Sequence, residues 1–195
     1  TPTLAFPFAA PPVSGSLAEV GGNAETQARL LLWSVERTIA GLSDLAQRGD
    51  NFPAERAHIV LPGSPNRGTF GGDGAYGEVK AAMDAIVNKW SAETGWPEGV
   101  TLAQARIGWV AGTHLMGGND GLVPAAQAAG IHVWSPEEIS TQLLGLVTEE
   151  SREQAKQSPL DLDLTGGLED AGVSIADLAR NARVDVAGTE SSTSN

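Results

Sequence analysis

The run AHIVLPG, Ala57 to Gly63, constrains this chain more than any other stretch. It is apolar almost throughout and closes on a proline and a glycine, so it reads as a buried strand ending at Pro62. VTLAQARIGWV, Val100 to Val110, reads as another, and Thr3 to Ala9, closed by prolines, as a short one. Between them lie segments of helical period. In Ala24–Ala46 the residues Leu30, Leu31, Val35, Leu42 and Leu45 recur at roughly helical spacing. A second helix is expected from about Ala75 to Glu93, with Ala82, Ile86, Val87 and Trp90 as its apolar stripe. Strands alternating with helices of this length give an α/β fold with a parallel sheet.

Past the third strand, Leu122 to Ala129 reads as a short helix and IHVW as a brief extended piece. Ser135-Pro136-Glu137-Glu138 is a helix start, with a serine cap, a proline in the first turn and acids at the positive end of the helix. That helix carries Ile139, Leu143, Leu144 and Val147. Three or four strands are few for a doubly wound sheet, which commonly has about five or six. The 195 residues suffice for one core. The polar end, GTESSTSN, reads as a disordered linker.

Charge and composition exclude several functions. Twelve basic residues against 24 acidic give a net charge of −12, a field that repels phosphate backbones and anionic lipid heads. Neither nucleic acid nor a membrane is therefore expected as partner, and no apolar run reaches the ~18 residues of a membrane span. The absence of cysteine suits a reducing cytoplasm. His58, His114 and His132 are too far apart for a zinc motif. Asp161, Asp163, Glu169 and Asp170 miss the spacing of a calcium loop, where Thr165 takes a ligand position, so no metal is expected. The five tryptophans are read as packing residues.

The stretch GGDGAYGEVK, Gly71 to Lys80, admits two readings. GDGAYG fits the G-x-G-x-x-G dinucleotide fingerprint, a phosphate cradle. That fingerprint needs its first glycine where a strand ends, whereas eight residues separate Gly63 from Gly72. The same residues hold Y-x-x-x-K. Tyr76 and Lys80 are four apart, in reach of each other on one helix face. A phenol titrates near ~10, and a neighbouring ammonium favours the phenolate and lowers that value. The lysine can also bond a cofactor ribose. Ser64, just past the strand, supplies a hydroxyl to hold a substrate carbonyl oxygen, and glycines at 68, 71, 72 and 74 let the loop fold back. Against this stands a plainer reading, a half-buried helix tyrosine beside a solvated lysine.

Four blocks, LPGSPNRGTFGGDGAYGEVK, IGWVAGTHLMGGND, HVWSPEEISTQLLGLV and SPLDLDLTGGLED, resemble the ketoreductase region of type I fatty acid synthases of fungi, mycobacteria and corynebacteria. The likeness runs from about Pro7 to Asp170. Such ketoreductases are similar to short-chain dehydrogenases/reductases, and the resemblance implies a Rossmann-like doubly wound parallel sheet. It also implies reduction of a 3-oxoacyl group on acyl carrier protein with NADPH. By position, Ser64 would bond the 3-oxo oxygen, Tyr76 would deliver the proton, and Lys80 would bind the nicotinamide ribose. Gly112 and Thr113 would join Tyr76 and Lys80 at the cofactor, with Leu115 and Met116 in a substrate loop. Implied partners are the remainder of the synthase, acyl carrier protein and the 3-oxoacyl thioester, in a large homo- or hetero-oligomer.

The chain departs from the family pattern at three places. The superfamily's relay asparagine has no counterpart in ARLLLWSVERTIAGL, where Ser34 is the nearest polar candidate. Where the pattern reads R-G-T-G-L-M, this chain has Ala111-Gly112-Thr113-His114-Leu115-Met116. The glycine fingerprint after the first strand is missing. The expectation is therefore the C-terminal, catalytic half of the fold, beginning at the fourth strand. Residues 1–185 would form the ketoreductase domain and 186–195 a polar tail. Such a half is expected to be inactive alone. The other functional class is a catalytically silent interaction segment of a megasynthase.

Overall fold

A computed structural model describes residues 2–11, 13–19, 21–53, 55–69, 72–113, 122–168, 170–172 and 177–178. The run Ala57–Gly63 forms strand β2. It pairs with β1, Leu4–Ala5, on one side and with β3, Val100–Ile107, on the other. Beyond β3 lies β4, Leu160–Leu164. All four strands are parallel, in the order β1-β2-β3-β4.

Both faces of β2 are covered, as a central parallel strand requires. Ile59 and Leu61 join Val35, Ile39, Met83, Ile86 and Trp90 in one core. Val60 joins Ala103, Ala105, Ile139, Leu146 and Leu164 in the other. The helical residues of these cores come from α2 (Ser34–Gln47), which continues from α1 (Gly22–Ala28), from α3 (Tyr76–Ala92) and, past the short α4 (Trp96–Gly99) and α5 (Val123–Ala128), from α6 (Pro136–Gly145). The fold is α/β, with helices on either side of a Rossmann-like sheet. Another helix, α7 (Glu149–Ala155), leads into β4.

A π-helical turn, Arg29–Trp33, joins α1 to α2. In an α-helix a four-residue step overshoots a turn of about 3.6 residues, so positions at that spacing drift round the axis. The wider π turn falls short instead and cancels part of the drift. Gln27, Leu31, Val35 and Ile39 are consequently all buried. The expected stripe is corrected here, since Leu30 and Leu45 point outward.

Other expectations shift at element ends. Of Thr3–Ala9 only two residues pair, because Pro7 has no amide to continue the ladder. The third strand stops at Ile107, where Gly108 N–H turns to Leu164 O, and Val110 bridges Trp134 alone. In α3 it is Met83 that is fully buried, with Ala82 only partly covered. Helix α6 begins with the anticipated cap, Ser135 Oγ accepting from Glu138 N–H while Glu138 accepts from Ser135 N–H. It ends at Gly145, leaving Leu144 exposed. Strand β4 was not anticipated. Its aspartates, read as a failed calcium loop, alternate outward from an edge strand, and Asp161 pairs with Arg106.

Candidate active site

Ser64 follows the last residue of β2, and Tyr76 is the first residue of α3. The loop between them returns, so that both side chains face one cavity. Lys80 follows one helical turn later, its Nζ 5.3 Å from the Tyr76 ring centroid. All three are buried, and all three line one cavity of about 220 Å³. Its other walls include Phe8, Trp109, Val110, Thr113, Ile139 and Leu143. It lies past the carboxyl ends of β2 and β3, where open α/β sheets take their ligands.

The electrostatics correct one expectation. Burial pushes the Tyr76 phenol above its ordinary value. The hydrogen bond from Ser64 pulls it down and the Asp73 carboxylate pushes it up again, but burial is the largest effect. The Lys80 ammonium lies over the ring and donates to Pro62 O at 2.6 Å. Burial lowers its own pKa to about 8. In the free protein the phenol therefore holds its proton firmly at neutral pH.

The glycine-rich loop does not form a phosphate cradle. A cradle needs unpaired backbone N–H groups at the helix start. Here Ala75 N–H donates to Gln27 Oε1, Tyr76 N–H to Asp73 O, and Gly77 N–H to Asp73 Oδ2. The Asp73 carboxylate takes the place an anion would occupy. It also accepts from Asn66 Nδ2 at 2.9 Å, while Asn66 N–H donates to Ser64 Oγ at 3.1 Å. The loop is thus wired from the serine to the first turn of α3.

Thr113 reaches the cavity, and its hydroxyl donates to Val110 O. Gly112, with φ of 75°, makes the turn that brings it there. Leu115 and Met116, with His114, lie outside the described residues, as does the tail 186–195. Ser34 does not approach the site, since its hydroxyl is bonded to Leu30 O. The helix before β2 contributes Gln27 instead, which sequence reasoning passed over. Its only signal was a glutamine four residues before Leu31 on an otherwise apolar stripe. Among the described residues there is no group of three or more potential metal ligands, and no helix long and apolar enough to cross a membrane.

No protein-family model matches the chain. It is similar to the fatty acid synthase subunit alpha of Saccharomyces cerevisiae, 36% identical over 165 residues, which is 84% of this chain and 9% of that protein. The corresponding subunit of Penicillium patulum is 34% identical over 164 residues, again 84% of this chain and 9% of its length. The chain thus spans about a tenth of the curated relatives it matches. In fold it resembles a 4-hydroxyisoleucine dehydrogenase complexed with NADH, with a TM-score of 0.66 at 12% identity over 83% of this chain and 67% of that one. A short chain dehydrogenase from Bacillus anthracis gives 0.64 at 12% identity, over 85% and 64%.

Proposed function

We propose that this chain, similar along most of its length to fungal fatty acid synthase alpha subunits and folded like the short-chain dehydrogenases/reductases, is the 3-oxoacyl-[acyl-carrier-protein] reductase portion of a type I fatty acid synthase, working with NADPH. The observation that carries the reading is that Ser64, Tyr76 and Lys80, all buried, line one and the same cavity. A silent interaction segment has no use for two hydroxyls and an amine facing one cavity.

The donor set fits the nicotinamide ribose: an ammonium and a phenol one helical turn apart, both facing the cavity. When bound, the dinucleotide supplies the hydride. The protein's task is the other half of the reduction, the charge gathering on the carbonyl oxygen. Ser64 donates a hydrogen bond to that oxygen, and Tyr76 transfers its proton to it. Asn66 N–H occupies one lone pair of Ser64 Oγ, which limits how the serine hydroxyl can turn. The raised phenol pKa keeps Tyr76 loaded with its proton. Lys80 binds the ribose hydroxyls and stabilises the phenolate left after transfer. Thr113 and Gly112 would help to hold the cofactor, and Leu115 and Met116 would belong to the substrate loop. The apolar walls of the cavity, Phe8, Ile139 and Leu143 among them, suit an acyl chain.

In this reading residues 1–185 act as one domain, 186–195 form a tail, and the partners are the rest of the synthase and its acyl carrier protein within a large oligomer. A cytoplasmic setting agrees with the lack of cysteine. The test is Tyr76→Phe in the assembled synthase. NADPH oxidation with a 3-oxoacyl thioester falls by at least about 10³-fold, while circular dichroism stays that of the unaltered protein. Full turnover by a folded Tyr76→Phe protein would refute the assignment.

A further inference from the structure

Gln27 is 1% exposed on α1 and has no part in the chemistry above. Its carboxamide is spent wholly on the backbone of a loop 46 to 48 residues away. Oε1 accepts from Ala75 N–H at 2.8 Å, and Nε2 donates to Asp73 O at 3.2 Å. That same Asp73 oxygen accepts from Tyr76 N–H, also at 3.2 Å. The carboxamide therefore holds the amide just before the tyrosine and the carbonyl to which the tyrosine's own amide is tied.

The turn is shaped for this contact. Gly74 lies between the two anchored residues at φ +64°, and a Cβ on it would stand 2.9 Å from Gln27 Oε1. One turn along the same helix stripe, Leu31 shares a small buried cluster with Tyr76 and Val79. The helix thus fixes the phenol twice, through its ring and through its backbone. The π turn that follows α1 keeps Gln27 and Leu31 on one side.

We propose that Gln27 is a positioning residue for the reaction at Tyr76, clamping from helix α1 the Asp73–Ala75 turn on which the tyrosine is mounted. Without the clamp, Ala75 N–H loses its partner inside the fold and Asp73 O keeps only Tyr76 N–H, and the first turn of α3 shifts or admits water to satisfy the stranded amide. The phenol then leaves its place beside Ser64. A displacement of about 1 Å is enough to cost about 10²-fold in rate.

The rate arm of the test rests on the reductase reading; a second arm does not. Tyr76 is the single tyrosine of the chain, so ultraviolet absorbance reports its ionisation directly. Gln27→Met keeps length and approximate volume while removing both hydrogen bonds. The expected result is a folded protein, by near-ultraviolet circular dichroism, whose phenol titrates closer to the ordinary ~10 than the unaltered chain's does. In the assembled synthase kcat falls by about 10²-fold, far more than any rise in KM for NADPH, whose ribose Lys80 still holds. A folded Gln27→Met protein with unaltered titration and kcat overturns the proposal. If that variant does not fold, Gln27→Glu decides. It keeps the acceptor for Ala75 N–H and loses the donor to Asp73 O, so kcat drops by more than any rise in KM for NADPH, and an unaltered kcat overturns the proposal. Should Tyr76→Phe prove fully active, the reductase reading fails, yet the phenol titration still decides whether Gln27 holds Tyr76 in place.

Discussion

Lys80 Nζ donates a 2.6 Å hydrogen bond to the carbonyl oxygen of Pro62, the last residue but one of strand β2. The helix that carries the phenol is thereby fastened to the strand that precedes the serine. The fastening is a buried amine whose pKa burial has brought to about 8, and its protonation is linked to folding.

An unfolded lysine holds its proton to about pH 10.4, whereas folded Lys80 releases it near 8. Between these values the unfolded chain binds more protons, so stability rises with pH from about 8 to about 10. Above that the raised phenol of Tyr76 works the other way, because the unfolded tyrosine deprotonates first. Urea unfolding across this range shows the rise, and Lys80→Met removes it. A flat profile for the unaltered chain would contradict the burial of the ammonium.

Ser64→Ala removes the donor to the substrate oxygen and is expected to lower kcat by about 10²-fold. It also deletes the hydrogen bond that pulls the Tyr76 phenol down. The alkaline limb of the pH–rate profile, where the acid catalyst loses its proton, therefore moves to higher pH. Lower activity with an unmoved limb would separate Ser64 from Tyr76.

His58 lies on β2 with no exposed surface. Nε2 is 3.0 Å from Leu146 O and Nδ1 is 2.8 Å from Thr101 Oγ1. A carbonyl can only accept, so Nε2 carries the proton and Nδ1 accepts from the threonine hydroxyl. Burial holds the imidazole below its ordinary pKa. The unfolded histidine takes up a proton first as pH falls, so stability is lost below about pH 6.5. His58→Leu is expected to cost about 1–3 kcal/mol at pH 7 by stranding Leu146 O and the threonine, and to flatten the acid limb of the stability profile. Chemical unfolding at pH 5 and pH 7 measures both.

Gly77 leaves no room for a side chain. A Cβ there would stand 2.6 Å from Gly68 N and 3.1 Å from Asn66 Oδ1. Gly77→Ala must push the loop away from α3, at a cost of about 1–3 kcal/mol, and it disturbs the Asn66 link to Ser64. Thermal unfolding and NADPH oxidation are expected to fall together. Loss of neither would mean that the loop has slack the close contacts do not suggest.

How much of this was legible depends on how local each signal is. AHIVLPG announced β2 because a strand covered on both faces is apolar along its length, and Ser135 announced α6 because a cap is read within four residues. Strand β4 escaped because LDLDL shows its logic only beside its neighbour, where Arg106 meets Asp161. Gln27 escaped for the same reason, since a glutamine on a helix reads as surface until the distant loop it grips is in view. The phenol's direction was misjudged from a neighbour's charge alone. Sequence spacing gave the ammonium, but depth of burial outweighs it, and depth belongs to the assembled fold.

Because the four strands run the same way, Ser64, Tyr76, Lys80 and Thr113 cluster toward one rim of the sheet. The opposite rim, with the turn Gly49–Asn51 and the short helix Trp96–Gly99, has none of them. The proposed chemistry is therefore confined to one end of the molecule: a tag or fluorophore attached at the Gly49–Asn51 turn can report on the protein while that chemistry runs undisturbed at the other.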